Sequence, residues 1–300
     1  MRFFEGRVWP ALLTPLDDSG EPNLAVLERL IEILAAQQLG GLFVLGSTGQ
    51  GVLLNVSQRK SVAERAVRAA AGALPIMIHV GAPATDDAIC LARHAAEIGA
   101  DAVSTVPPIY YPASAAMTFE HYRRVGGACD LPFFPYHAMF LQQSLPAAVD
   151  YAEQLLKIPH IAGMKFTDHN LYAMGLVNRY AGGQLKILSG ADELLCHAAL
   201  SGAVGAIGTF YNQWGAACQR ARAAFVAGDF DAGLRFMAVF QETIDEIIRS
   251  GSIWSFHRAS IQVKYDLDIG PPRAPLGCVD QPWDQAEVNR LLAQVDDAAK

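Results

Sequence analysis

Basic residues are scarce in this chain. Lysine and arginine together number 23 against 30 acidic residues, a net charge of −7. No basic block and no basic-aromatic stripe occurs, which argues against a nucleic-acid binder. Long apolar runs are also missing, so nothing is built to span a bilayer, and "MRFFEGRVWP" lacks the apolar core of a signal peptide. Cysteine is sparse: Cys90, Cys129, Cys196, Cys218 and Cys278 make an odd number with no CxxC pair. That pattern argues against a disulfide framework and fits free thiols in a reducing cytoplasm. The eight histidines are dispersed with no HxH or HxxxH spacing, which disfavours a metal site. Charged residues are few, at 18%, and hydrophobic residues make up 52%, enough for a well-filled core and too much for disorder.

What is present is an alternation. Eight short apolar runs read as strands: "RVWPALLTP" (7–15), "GLFVLG" (41–46), "PIMIHV" (75–80), "DAVSTV" (101–106), "PFFPYH" (132–137), "AGMKF" (162–166), "LKILSG" (185–190) and "GAIGTF" (205–210). Between them lie helix-length segments with apolar residues three and four apart, such as "NLAVLERLIEILAAQQ", where Asn23 is placed to cap. Glycines at 40, 72, 99 and 202 stand just past helix ends, where left-handed caps are expected. Eight strand–helix units predict a closed (β/α)8 TIM barrel over residues 1–228, with a doubly wound open sheet as the competing architecture. Residues 229–300 contain helical patterns without a strand and no Pro/Gly-rich linker before them. They read as a C-terminal helical extension packed on the barrel.

One residue stands out against that pattern. Of six lysines, Lys165 alone stands in the middle of an apolar run, in "IAGMKFTDHN"; Lys186 is at the edge of its own. A buried ammonium is costly, so such a lysine is a strand-end side chain that reaches water or an amine put to chemical use. Barrel active sites gather at the C-terminal ends of the strands. There Lys165 joins "GSTGQG", "PPIYYP", "YHAM", "KFTD", "GADE" and "GTFYN". An amine at that mouth suits attack on a ketone, and apolar neighbours favour its neutral, nucleophilic form. The resulting protonated Schiff base withdraws electrons from a neighbouring carbon–carbon bond. Tyr136, ending the preceding strand, is placed to move the proton, although alone it would read as a buried aromatic. "GSTGQG" is neither a phosphate-binding P-loop nor a dinucleotide fingerprint; Ser47 and Thr48 offer donors for a carboxylate.

Taken together, "PALLTPLDDSGEPN", "GSTGQG", "YHAM", "GMKFTDHNLY", "GADE", "GAIGTFYN" and "GPPRAPLG" resemble the pyruvate-dependent class I aldolases, the dihydrodipicolinate synthase and N-acetylneuraminate lyase family. The resemblance is nearest the lyase branch. It implies a TIM barrel with a helical extension, assembled as a homotetramer, a dimer of dimers. It further implies Lys165 as the Schiff-base lysine, Tyr136 as the proton carrier, and Ser47 with Thr48 as the carboxylate cradle. Tyr110 matches a tyrosine that reaches into a neighbouring subunit, with Tyr111 as the second candidate. Thr167, Gly190, Asp192, Glu193, Gly208 and Thr209 match the positions that bind the hydroxylated tail of a sugar acid. Three departures bear on that tail. Gln50 replaces a usual glutamate, Met139 replaces a proline, and "FLQQ" lacks a small Ser/Thr-Gly pair. Synthases that take aspartate semialdehyde carry an arginine where this chain has Leu141, and an apolar side chain cannot neutralise a carboxylate.

The activity expected is cleavage or formation of a 2-keto-3-deoxy sugar acid, with pyruvate as the keto acid and an aldehyde as the other partner. No cofactor or metal is required. The alternatives are a keto-deoxy sugar acid dehydratase, a dihydrodipicolinate synthase, and an inactive barrel used as a binding protein.

Overall fold

A computed structural model describes residues 6–138 and 147–300 of the chain. Its eight strands are β1 (Val8–Pro10), β2 (Leu42–Val44), β3 (Ile76–His79), β4 (Ala102–Thr105), β5 (Phe133–Ala138), β6 (Gly163–Thr167), β7 (Lys186–Ser189) and β8 (Gly205–Gly208). Each falls on one of the apolar runs read from the sequence. All pair in parallel in the order β1-β8-β7-β6-β5-β4-β3-β2, and a parallel bridge between Ala11 and Phe43 closes the ring. This is a TIM barrel and not an open sheet.

The strands are short and apolar on both faces because each face is covered. Inward residues, among them Trp9, Phe43, Met77, Phe134, Leu188 and Ile207, fill the barrel. Outward residues such as Val44, Ile78, Val103, Met164 and Phe166 pack beneath the helices. Those helices are α1 (Leu24–Ala35), α2 (Val56–Ala70), α3 (Thr85–Glu97), α4 (Ala115–Gly126), α5 (Ala148–Leu155), α6 (Leu171–Tyr180), α7 (Leu195–Leu200) and α8 (Tyr211–Val226).

Local chemistry sets the helix starts. Asn23 accepts a hydrogen bond from Val26 N, Asn170 accepts from Ala173 N, and Asn55 forms a reciprocal capping box with Gln58. At the other ends, Gly72, Gly99 and Gly202 adopt positive φ as expected, but Gly40 does not. Gln38 takes the left-handed turn after α1, with φ 54°. Gly40 is small for another reason: a Cβ there would lie 2.3 Å from the Trp9 indole nitrogen.

The extension contains α9 (Phe230–Arg249), α10 (Ile253–Tyr265) and α11 (Gln285–Ala298). It packs on α8, chiefly around Trp214. That ring stacks on Phe256 at 5.9 Å, meets Phe240 edge-on at 6.0 Å, and donates its N–H to the Leu292 carbonyl at 3.2 Å. No helix among the described residues is long and apolar enough to cross a membrane.

Candidate active site

The strand register decides which side chains meet. Lys165 on β6 is level with Tyr136 on β5 and Leu188 on β7. Side chains alternate along a strand, so Met164 and Phe166 go to the outer core while Lys165 enters the barrel. Below it Gly163 leaves space, because a Cβ there would lie 2.5 Å from the Phe134 ring. Lys165 is 5% exposed, and its Nζ lies 4.2 Å from the centre of the Tyr136 ring and 4.7 Å from that of Phe43. Both rings lie within cation–π distance of the Nζ. No carboxylate forms an ion pair with Lys165 among the described residues.

The "GSTGQG" loop follows β2 at the same end of the barrel. It opens at Leu45 and closes at Gln50, both with left-handed backbones (φ 63° and 56°). Thr14 Oγ1 donates to the Gly49 carbonyl at 2.7 Å and so anchors the loop to the chain after β1. Ser47 is exposed at the mouth and Thr48 is buried. The Thr48 hydroxyl lies 2.7 Å from that of Thr209, beyond the end of β8. The carboxylate cradle and the tail-binding set expected from the sequence therefore touch. Gln50 is buried, and its amide oxygen accepts from Arg273 N at 2.6 Å. The Arg273 guanidinium donates to the carbonyls of Leu53 and Gly20.

On the other side of Lys165, Thr167 donates a long hydrogen bond of 3.5 Å to the Tyr136 hydroxyl. Gly190 must be glycine here, since a Cβ would fall 1.8 Å from Thr167 Oγ1 and 2.9 Å from Lys165 Cε. Gly208 is held likewise, with Asp192 Oδ1 only 1.9 Å from where its Cβ would be. Asp192 is buried and accepts from Phe210 N at 2.7 Å. Burial raises its pKa to about 7; the Phe210 N–H and Lys165 oppose that shift, and nearby Glu193 adds to it. Glu193 sits outermost, 2.7 Å from His169 Nε2, and its backbone carbonyl accepts from Gln241 on α9 at 2.6 Å.

Lys165, Tyr136, Thr48, Thr167, Gly190, Asp192, Gly208 and Thr209 thus converge around one mouth. Tyr110 does not join them within the chain. It is 89% exposed with φ 77°, and it stacks edge-to-face on Tyr111, also exposed, at 5.0 Å. Met139 and Leu141 lie outside the described residues. Three contributors escaped the sequence reading. Buried Asn212 donates to the Ala11 and Thr209 carbonyls at 2.7 Å each. Gln241 reaches in from the extension, and His79 ends β3 inside the barrel. Two of them left a trace in the sequence, Asn212 as the last residue of "GTFYN" and His79 as a polar residue in the run "PIMIHV". Among the described residues, no group of three His, Cys, Asp or Glu side chains could hold a metal ion.

Against this geometry stand the likenesses to known proteins. The family model for the dihydrodipicolinate synthetase family matches residues 5–295. The chain is 34% identical to human N-acetylneuraminate lyase over 272 residues, which is 89% of this chain and 85% of that one. It is 32% identical to N-acetylneuraminate lyase of Escherichia coli (strain SMS-3-5 / SECEC) over 279 residues, 92% of each chain. Among solved structures, Proteus mirabilis N-acetylneuraminate lyase superposes with a TM-score of 0.86 at 28% identity, covering 97% of this chain and 98% of that one.

Proposed function

The chain belongs to the dihydrodipicolinate synthetase family, and from that membership we propose a class I, Schiff-base aldolase of the N-acetylneuraminate-lyase kind. Its substrate is a polyhydroxylated 2-keto-3-deoxy sugar acid, split to pyruvate and an aldehyde. The observation that carries this reading is the pairing of Lys165 with Tyr136 across β5 and β6, buried together beneath hydroxyl donors.

In this mechanism the Lys165 amine attacks the C2 ketone, and loss of water leaves a protonated Schiff base. Ser47 and Thr48 hold the C1 carboxylate. Tyr136 relays the proton taken from the C4 hydroxyl. The C3–C4 bonding electrons then flow into the iminium, giving an enamine and the aldehyde. Protonation at C3 and addition of water release pyruvate and restore the amine, so the water lost first is returned. Asp192, Glu193, Thr167 and Thr209 meet the tail hydroxyls, with Gly190 and Gly208 giving Thr167 and Asp192 the room to do so. Tyr110, thrust outward, completes the site of a neighbouring copy in a homotetramer built as a dimer of dimers. The five free thiols support a place in the cytoplasm.

Treatment with pyruvate and borohydride should fix one adduct of reduced pyruvate on Lys165, found by mass spectrometry of the digested protein. Lys165→Ala and Lys165→Arg should both abolish it, because a guanidinium stays protonated and cannot attack a ketone. Label on another lysine would refute the mechanism. A panel of 2-keto-3-deoxy acids, with pyruvate plus aspartate semialdehyde as competitor, tests the substrate. A tenfold kcat/KM advantage for the semialdehyde pair, about 1.4 kcal/mol in the transition state, would overturn the sugar-acid reading.

A further inference from the structure

His79 is fully buried inside the barrel, and the mechanism above gives it no task. Its surroundings are nevertheless specific. Its Nε2 lies 3.3 Å from Val106 N, and a backbone N–H can only donate, so Nε2 accepts. The proton therefore sits on Nδ1, which lies 3.1 Å from the Leu45 carbonyl and donates to it. Both bonds can form only in this tautomer. One ring thus ties the ends of β2, β3 and β4 together.

The surrounding residues are fitted to that ring. A Cβ at Gly81 would come within 2.8 Å of both Cε1 and Nε2 of His79. A Cβ at Gly51 would come within 1.9 Å of the Leu45 oxygen that His79 holds. The Arg59 guanidinium, itself buried, donates to the carbonyls of His79 at 2.7 Å and Gly81 at 2.8 Å. Burial drives the imidazole pKa down to about 3, and the charges of Arg59 and Lys165 push the same way. The ring stays uncharged throughout the physiological range. Its plane stands at 84° to the Tyr136 ring, 6.3 Å away, and at 56° to that of Phe43, 5.9 Å away.

The consequence falls on Leu45. Its left-handed backbone (φ 63°) is uncommon for a branched side chain and persists only where the surroundings enforce it. From that residue the chain turns directly into Gly46, Ser47 and Thr48. We propose that His79 is a positioning residue for keto-acid capture: its Nδ1–H holds the turn at Leu45 and so sets the Ser47–Thr48 donors over Lys165. The proposal rests on the aldolase reading of the site.

Asparagine and glutamine separate the two bonds. The asparagine amide overlies the Nδ1 position of histidine, and the glutamine amide overlies Nε2. His79→Asn should keep the tie to Leu45, with half-saturation of borohydride trapping by pyruvate within about threefold of wild type. His79→Gln should keep the Val106 bond and lose the Leu45 bond, raising the half-saturating pyruvate concentration about tenfold or more, the scale of one buried hydrogen bond. Nitrogen-15 spectra of histidine-labelled protein should show a resonance, missing from both variants, with a protonated Nδ1 and a bare Nε2. Thermal melts of the same samples give the loss of stability separately. A His79→Gln protein that traps pyruvate at the wild-type concentration would overturn the positioning role, as would equal losses in both variants. A wild type that traps no pyruvate would overturn the aldolase reading beneath it, while the nitrogen spectrum would still test the bond.

Discussion

At the scale of single residues, the site sorts its polar groups by what burial does to them. His79 is kept uncharged, and Asp192 is pushed towards its neutral acid. For Asp192 this has a consequence for stability. In the unfolded chain it titrates near its ordinary value of 3.8, and in the fold near 7. Between those values the folded form holds a proton that the unfolded form has lost. The stability this contributes is therefore full below about pH 4 and is lost as pH rises through 7. Asp192→Asn keeps an oxygen for the Phe210 N–H and cannot ionise. In urea unfolding, the variant should gain on wild type steadily from pH 4 to 7 and hold a lead on the order of a few kcal/mol above that. Parallel stability curves would show that Asp192 ionises freely in the fold. Tyr136→Phe tests the proton relay. Removing the proton relay should cut turnover roughly 10²–10⁴-fold while pyruvate trapping on Lys165 survives; near-normal turnover would remove Tyr136 from the proton path.

At the scale of elements, the strands and their order were legible because each is a short apolar run bounded by polar loops, and covered parallel strands leave that signature. Lys165 was legible because it breaks one. Helix α10 was not singled out, since "IWSFHRASIQVKY" mixes buried Phe256, His257, Ser260 and Ile261 on its inner face and blurs the apolar stripe. Gly40 was misread because sequence shows a glycine but not whether backbone angle or a neighbouring indole demands it. The roles of His79 and Asn212 could not be read, because each holds a backbone atom far along the chain, Val106 N for His79, 27 positions away, and the Ala11 carbonyl for Asn212, 201 positions away. The Gln50 departure likewise gains meaning only from its partner. In the sequence it is a glutamine in place of a glutamate, and in the fold its buried amide oxygen accepts from Arg273 N. A carboxylate could accept the same bond. Gln50→Glu should therefore change the unfolding free energy by less than about 1 kcal/mol, and Gln50→Leu should cost about 1–3 kcal/mol by leaving that N–H without a partner. Equal effects of the two substitutions would mean the bond contributes nothing.

At the scale of the whole molecule, the extension is joined to the barrel at the places where the chemistry sits. Gln241 on α9 holds the Glu193 backbone, Tyr265 on α10 donates to the Asn212 carbonyl at 3.0 Å, and Arg273 grips the loop at Gln50. Beneath these ties lies a shared aromatic core: Phe210 and Trp214 of the barrel against Phe240, Phe256 and His257 of the extension. A ring of this size buries roughly 150–250 Å², worth about 4–6 kcal/mol at about 25 cal/mol per Å². Uncovering even half of that at both Phe210 and Trp214 removes roughly 5 kcal/mol, comparable to the net stability of an ordinary domain. Residues 1–228 expressed alone should consequently fail to melt cooperatively and should trap no pyruvate, although every residue proposed to touch the keto acid is present. Supplying residues 229–300 as a separate chain should restore trapping only in part, because joining the pieces then carries the entropic cost of association. A truncated barrel that melts sharply and labels Lys165 at the wild-type pyruvate concentration would show that the extension is an accessory. The ties at Glu193, Asn212 and Gln50 would then be incidental to the site's geometry.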